Sequence, residues 1–109
     1  LQAVHTPGHT PEHVSWALYD ESRSGEVPWV MFTGDFLFVG DVGRPDLLGE
    51  AARAKLAHQL YESVFDRLPV FPDFTEIMPG HGAGSLCGKS LGARGASTVG
   101  FERRFNPAL

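Results

Sequence analysis

Pro28-Trp29-Val30-Met31-Phe32-Thr33 runs without a charged break into Gly34-Asp35. A short, nearly continuous apolar run reads as a strand buried on both faces, and Gly-Asp at its end reads as a turn. Just upstream, Asp20 to Val27 is polar and holds Gly25, so it reads as a hairpin loop. Val14-Ser15-Trp16-Ala17-Leu18-Tyr19 before it is rich in strand formers and reads as the partner strand. Leu1 to Val4 is another short apolar segment, stopping at His5-Thr6-Pro7-Gly8-His9. Downstream, Phe36 to Leu48 is irregular, with Gly40, Gly43 and Pro45 spaced along it. Glu50 to Leu68 is the clearest helix. Leu56, Leu60 and Val64 recur at i+4, with Ala57, Tyr61 and Phe65 beside them as one apolar stripe. Glu50 suits the positive end of the helix dipole, and Pro69 and Pro72 end the helix. Thr75-Glu76-Ile77-Met78 is a short strand running into Pro79-Gly80-His81-Gly82. Ala83 to Ala96 reads as a Gly-rich loop, and Ser97 to Phe105 as a final helix with Ser97 as its N-cap. Strand pairs followed by helices give an α/β (α+β) class. Trp16, Trp29 and Phe32 are expected in the core.

The 109 residues make about one domain or part of one. With 42% hydrophobic and 20% charged residues the material is ordinary globular protein. A net charge of −4 and scattered basic residues leave no stripe to neutralise phosphates, which argues against a nucleic-acid binder. No apolar run approaches the roughly 18 residues of a membrane span, and the start shows no signal-peptide pattern. A single cysteine, Cys87, excludes an internal disulfide and fits a reducing, cytoplasmic setting. The chain starts at Leu1 in what reads as a strand, so it is expected to be a piece of something longer.

One event happens three times. A strand runs out into a Gly-containing turn and a metal-capable side chain follows, at Pro7-Gly8-His9, Thr33-Gly34-Asp35 and Pro79-Gly80-His81. Strand ends deliver ligands to one rim of a sheet. Two histidines and a carboxylate suit Zn, Fe or Mn. Singly, each has another reading: either histidine as a surface or hydrogen-bonded residue, and Asp35 as a turn former. The recurrence is what makes them a candidate metal-facing set.

Thr6-Pro7-Gly8-His9-Thr10, Thr33-Gly34-Asp35 and Pro79-Gly80-His81-Gly82 resemble the later metal motifs of the metallo-β-lactamase fold. The resemblance covers essentially residues 1–109 and implies the C-terminal half of a four-layer αββα sandwich. Gly40 to Leu47, Gly82 to Lys89 and Ser97 to Asn106 look most like persulfide dioxygenases, especially bacterial ones fused to rhodanese domains. The superfamily's first motif, His-x-His-x-Asp-His, is absent from these residues and is expected upstream, in an N-terminal half.

In persulfide dioxygenases one Fe(2+) is held by two histidines and an aspartate. The resemblance makes His9 and Asp35 two of these, with His81 beside the iron orienting its surroundings as a catalytic residue. It implies oxidation of glutathione persulfide to sulfite and glutathione. In the related hydroxyacylglutathione hydrolases two metals such as Zn(2+) bind, Asp35 bridges them and His81 binds the second. A third alternative is an inactive fragment or interaction module. Arg44 is a candidate for a substrate carboxylate or a loop brace to Asp41 or Asp46. Lys89 is a candidate for a glutathione carboxylate or a solvated loop residue, and Cys87 for persulfide handling or simple burial. The partners implied are a small-molecule thiol substrate and the N-terminal half, with a rhodanese domain and a second copy of the chain left open. His13 is expected to be structural, His58 to lie on the surface, and His5 not to be a ligand. Arg103 and Arg104 are expected to favour the dipole of the last helix.

Overall fold

The computed structural model of the chain describes residues 1–81 and 95–109. The antiparallel strands β1 (Gln2–His5), β2 (Val14–Leu18) and β3 (Val30–Gly34) follow one another in sequence and in space. β3 then pairs in parallel with β6 (Glu76–Pro79), and β7 (Ser97–Thr98) closes the far edge antiparallel to β6. The resulting sheet has the order β1-β2-β3-β6-β7. The crossover from β3 to β6 carries the small hairpin β4 (Leu37–Phe38) and β5 (Asp41–Val42), then helix α1 (Glu50–Glu62). The segment expected to be irregular thus holds this hairpin. Helix α2 (Val99–Phe105) follows β7 directly.

The expected helix over 50–68 exists, but its end changes character. After Glu62 the chain widens into a π-helical stretch, Ser63–Arg67, and then tightens into a 3-10 turn, Leu68–Val70. Pro69, which has no N–H to continue the ladder, accounts for the stop. Within the stretch the Ser63 hydroxyl donates to the Pro7 carbonyl at 2.7 Å, tying the helix to the turn before His9.

The sheet's alternation sorts its two faces. Ala17, Met31 and Ile77 point to one side and pack with Phe36, Leu37, Val64, Leu68, Phe71 and Val99 as the core. The opposite side carries Trp16, Phe32 and Met78, paired in register across β2, β3 and β6. These three are 47%, 40% and 37% exposed. The strand read as buried on both faces is therefore covered on one only. Phe32 and Trp16 belong to an open apolar row rather than to the core. Trp29, also expected inside, is exposed and lies under the Arg23 guanidinium, 4.8 Å from the ring centre. On the helix, Leu56 and Val64 are buried as expected, while Tyr61 and Phe65 turn outward and pack on each other.

The cap of the last helix lies one residue later than expected. Thr98 is the N-cap, its hydroxyl accepting from the Phe101 N–H at 3.1 Å. Ser97 instead lies in β7 and donates to Glu102. Arg103, beyond any dipole effect, reaches back to the Asp73 carboxylate and the carbonyls of Leu68 and Phe71.

Candidate metal-facing site

The three strand-end residues do converge. His9 follows the β1 turn, Asp35 follows β3 and His81 follows β6. Because β3 and β6 run in parallel, their C-terminal ends lie side by side, joined by the Gly80 N–H donating to the Gly34 carbonyl at 2.9 Å. Asp35 stands in the middle. Its Oδ1 is 2.9 Å from His81 Nε2 and its Oδ2 is 3.7 Å from His9 Nε2. The second distance is too long for a hydrogen bond.

Each ring is held from behind. His9 is buried, and its Nδ1–H donates to the Arg44 carbonyl at 2.9 Å. That bond places the ring lone pair on Nε2, facing Asp35, which is the tautomer a metal ligand needs. The His81 ring lies against Phe38 of β4, with centroids 4.7 Å apart.

His13, read from sequence as structural, contributes more than packing. Its Nε2 accepts the Asp35 backbone N–H at 3.1 Å, and its Nδ1 bonds the Thr6 hydroxyl, which in turn bonds Ser15. Burial is the main cause that pulls the His13 imidazole below its ordinary pKa of 6.5, opposed in part by the Asp35 carboxylate. A neutral ring accepting at Nε2 agrees with that direction. His13 thus anchors the backbone from which the Asp35 carboxylate projects. Its position four residues after His9 in one turn was the available signal.

Two glycines are demanded by this crowding. Gly34 sits at φ +53°, and a Cβ there would come within 2.7 Å of His13 Nε2. Gly43 is pressed onto the site itself, where a Cβ would overlap the Asp35 carbonyl oxygen and meet the His9 Cβ at 3.0 Å.

Of the other candidates, Arg44 enters the site through its carbonyl. Its guanidinium makes a bidentate pair with Asp46, both N–O distances 3.0 Å, as in the loop-brace reading. Lys89 and Cys87 lie outside the described residues. His5 bonds the Pro11 carbonyl, and His58 pairs with Glu62 on the helix surface, where it was expected. Among the described residues no group of three His, Cys, Asp or Glu side chains is arranged to hold a metal by itself. The donor chemistry nonetheless fits part of a metal set. His9 Nε2 is freed for coordination by its bond to Arg44, and 3.7 Å from Asp35 is close to the roughly 3–3.5 Å that separates neighbouring ligands on one ion with bonds of about 2.1 Å.

No family model matches the sequence. Individual proteins do. A metallo-β-lactamase from Staphylococcus aureus superposes with a TM-score of 0.84 at 48% identity, over 96% of this chain and 29% of that one. The hydroxyacylglutathione hydrolase GloC of Haemophilus influenzae is 32% identical over 109 residues, all of this chain and 40% of the relative. The mitochondrial persulfide dioxygenase of Mus musculus is 33% identical over 109 residues, again all of this chain and 35% of the relative. The chain thus spans two-fifths or less of the length of these proteins. The mixed sheet, the strand-end histidines and aspartate, and these likenesses agree, and the chain belongs to the metallo-β-lactamase superfamily.

Proposed function

We propose that the chain is part of a mononuclear non-haem iron enzyme that oxidises glutathione persulfide with O2, releasing sulfite and glutathione. The observation that carries this reading is the division of labour within one carboxylate. Asp35 Oδ1 lies 2.9 Å from His81 Nε2, while Oδ2 and His9 Nε2 stand 3.7 Å apart. One oxygen and one imidazole nitrogen would thereby serve as two ligands of a single Fe(II). The iron, when bound, supplies the redox chemistry of O2 activation. The chain's own residues orient and restrain. Arg44 fixes the His9 ring, His13 fixes the Asp35 backbone, and His81 holds the carboxylate to one face.

The remaining histidine ligand comes, in this reading, from the part of the domain outside this sequence, and the row Trp16–Phe32–Met78 is where that part packs. Three large apolar side chains in one register are the surface a second layer would bury. Phe32→Glu should then change the stability of the isolated chain by less than about 0.5 kcal/mol, because the site is open. In the full-length protein it should cost about 2 kcal/mol or more, because a charge is buried without a partner. Equal urea midpoint shifts in the two contexts would refute the packing.

The same carboxylate supports a second reading. An Asp with one oxygen toward each of two imidazoles is also poised to bridge two metal ions, as suits a hydroxyacylglutathione hydrolase like the Haemophilus influenzae relative. Substrate decides between them. The full-length protein should consume O2 on glutathione persulfide and produce sulfite, with no hydrolysis of S-lactoylglutathione. Thioester hydrolysis without O2 uptake would establish the second reading. Neither activity, with no metal retained, would leave an inactive interaction module.

A further inference from the structure

Glu102 is 1% exposed, and an acidic residue that deeply buried needs its lone pairs answered. Among the described residues its bonds come from neutral donors. Oε2 accepts from the Ser97 hydroxyl at 2.6 Å, and Oε1 accepts from the Gly40 N–H at 2.7 Å and from Asn106 Nδ2 at 3.0 Å. Asn106 Nδ2 also donates to the Asp41 carbonyl at 3.2 Å. Two residues at the end of the chain thus grip the tip of the β4–β5 hairpin more than sixty residues earlier.

What that hairpin carries makes the grip consequential. Phe38 in β4 lies against His81. Beyond β5, Gly43 rests on Asp35 and His9, pinned by its N–H to the Phe36 carbonyl at 2.9 Å. The next residue, Arg44, holds His9 Nδ1. We propose that Glu102 is a positioning residue of the candidate site. Its carboxylate locks the hairpin, and the hairpin sets the ring of His9 through Arg44 and the ring of His81 through Phe38. A carboxylate suits the task because it accepts three bonds at once, where the amide of Asn106 can both accept and donate.

The inference rests on the metal-site reading, so its test carries one measurement that needs no metal. In the full-length protein, long-range proton–nitrogen NMR reports the His9 tautomer, and titration with zinc ion alone reports affinity. Glu102→Leu should turn the single Nδ1–H tautomer into a mixture, speed exchange of the Gly40 amide and weaken zinc binding about tenfold or more. Glu102→Gln should preserve all three, because its oxygen still serves Gly40 and Asn106 while the Ser97 hydroxyl reverses to accept from the new amide. A folded Glu102→Leu protein with an unchanged His9 tautomer overturns the proposal, as does a glutamine variant as damaged as the leucine one. Should Glu102→Leu fail to fold, Asn106→Leu removes the bonds to Asp41 and Oε1 and the one that Oδ1 accepts from the Ala108 N–H, while leaving those of Glu102 to Gly40 and Ser97. With the Gly40 bond kept, it should shift the tautomer in the same direction by less, and no shift overturns the proposal. If the unaltered protein binds no zinc, the metal reading fails, and the tautomer still decides the role of Glu102.

Discussion

Replacing Asp35 with alanine in the full-length protein should abolish tight metal binding and lower kcat/KM about a thousandfold or more, a loss of roughly 4 kcal/mol. The Asp35 carboxylate faces both imidazoles, with Oδ2 3.7 Å from His9 Nε2 and Oδ1 2.9 Å from His81 Nε2. The substitution takes away the proposed ligand and the carboxylate that faces the His81 ring together. Asp35→Asn is the control. It keeps the volume and the backbone N–H that His13 accepts, so folding should be preserved while the anionic ligand is lost. His81→Ala makes the contrast informative. If His81 only orients the carboxylate, its loss should cost about 10–100-fold, well short of the Asp35 effect. A His81 loss as severe as the Asp35 loss would mean that His81 is itself a ligand. Activity retained by Asp35→Ala would remove the candidate site altogether.

Gly43→Ala should be the most damaging single methyl among the described glycines. The added Cβ would overlap the Asp35 carbonyl oxygen and crowd the His9 Cβ, and neither is the free end of a flexible side chain. Relief requires the backbone after β5 to move, which would break the Gly43 N–H bond to Phe36 and pull the Arg44 carbonyl from His9. Overpacking of this kind costs about 1–3 kcal/mol and occasionally more. A drop of at least about 2 kcal/mol in urea unfolding is expected, together with metal affinity lowered about tenfold or more. Gly25→Ala is the comparison, since a Cβ there meets nothing within 4 Å. Equal behaviour of the two alanine variants would show that the loop yields freely and that the packing of Gly43 on the site is unimportant.

The strands, the long helix and the three convergent residues were legible because each is written locally. Apolar runs ending in Pro-Gly or Gly-Asp mark strand ends, and the i+4 recurrence of Leu56, Leu60 and Val64 marks the helix. What sequence missed depends on through-space neighbours. Trp16 and Phe32 look like core residues in a one-dimensional pattern, yet they point away from the layer formed by the helices, and pattern alone does not say which face is covered. The hairpin at Leu37–Val42 is too short to show alternation. Thr98 rather than Ser97 caps the last helix because the Ser97 hydroxyl is engaged by Glu102, and neither assignment is visible from residue type. His13 and Glu102 carry no motif of their own. Their importance lies in what they hold, the Asp35 backbone and the Gly40 turn.

The central claim is that Asp35 and His9 serve one iron, with His81 outside the coordination. Metal content of the full-length protein, purified without chelators and reconstituted anaerobically with Fe(II), tests it most directly, with His81→Ala measured alongside. One iron per chain, retained when His81 is replaced, is the expected result. Two ions per chain, one of them lost with His81, would contradict it and place the protein among the two-metal hydrolases.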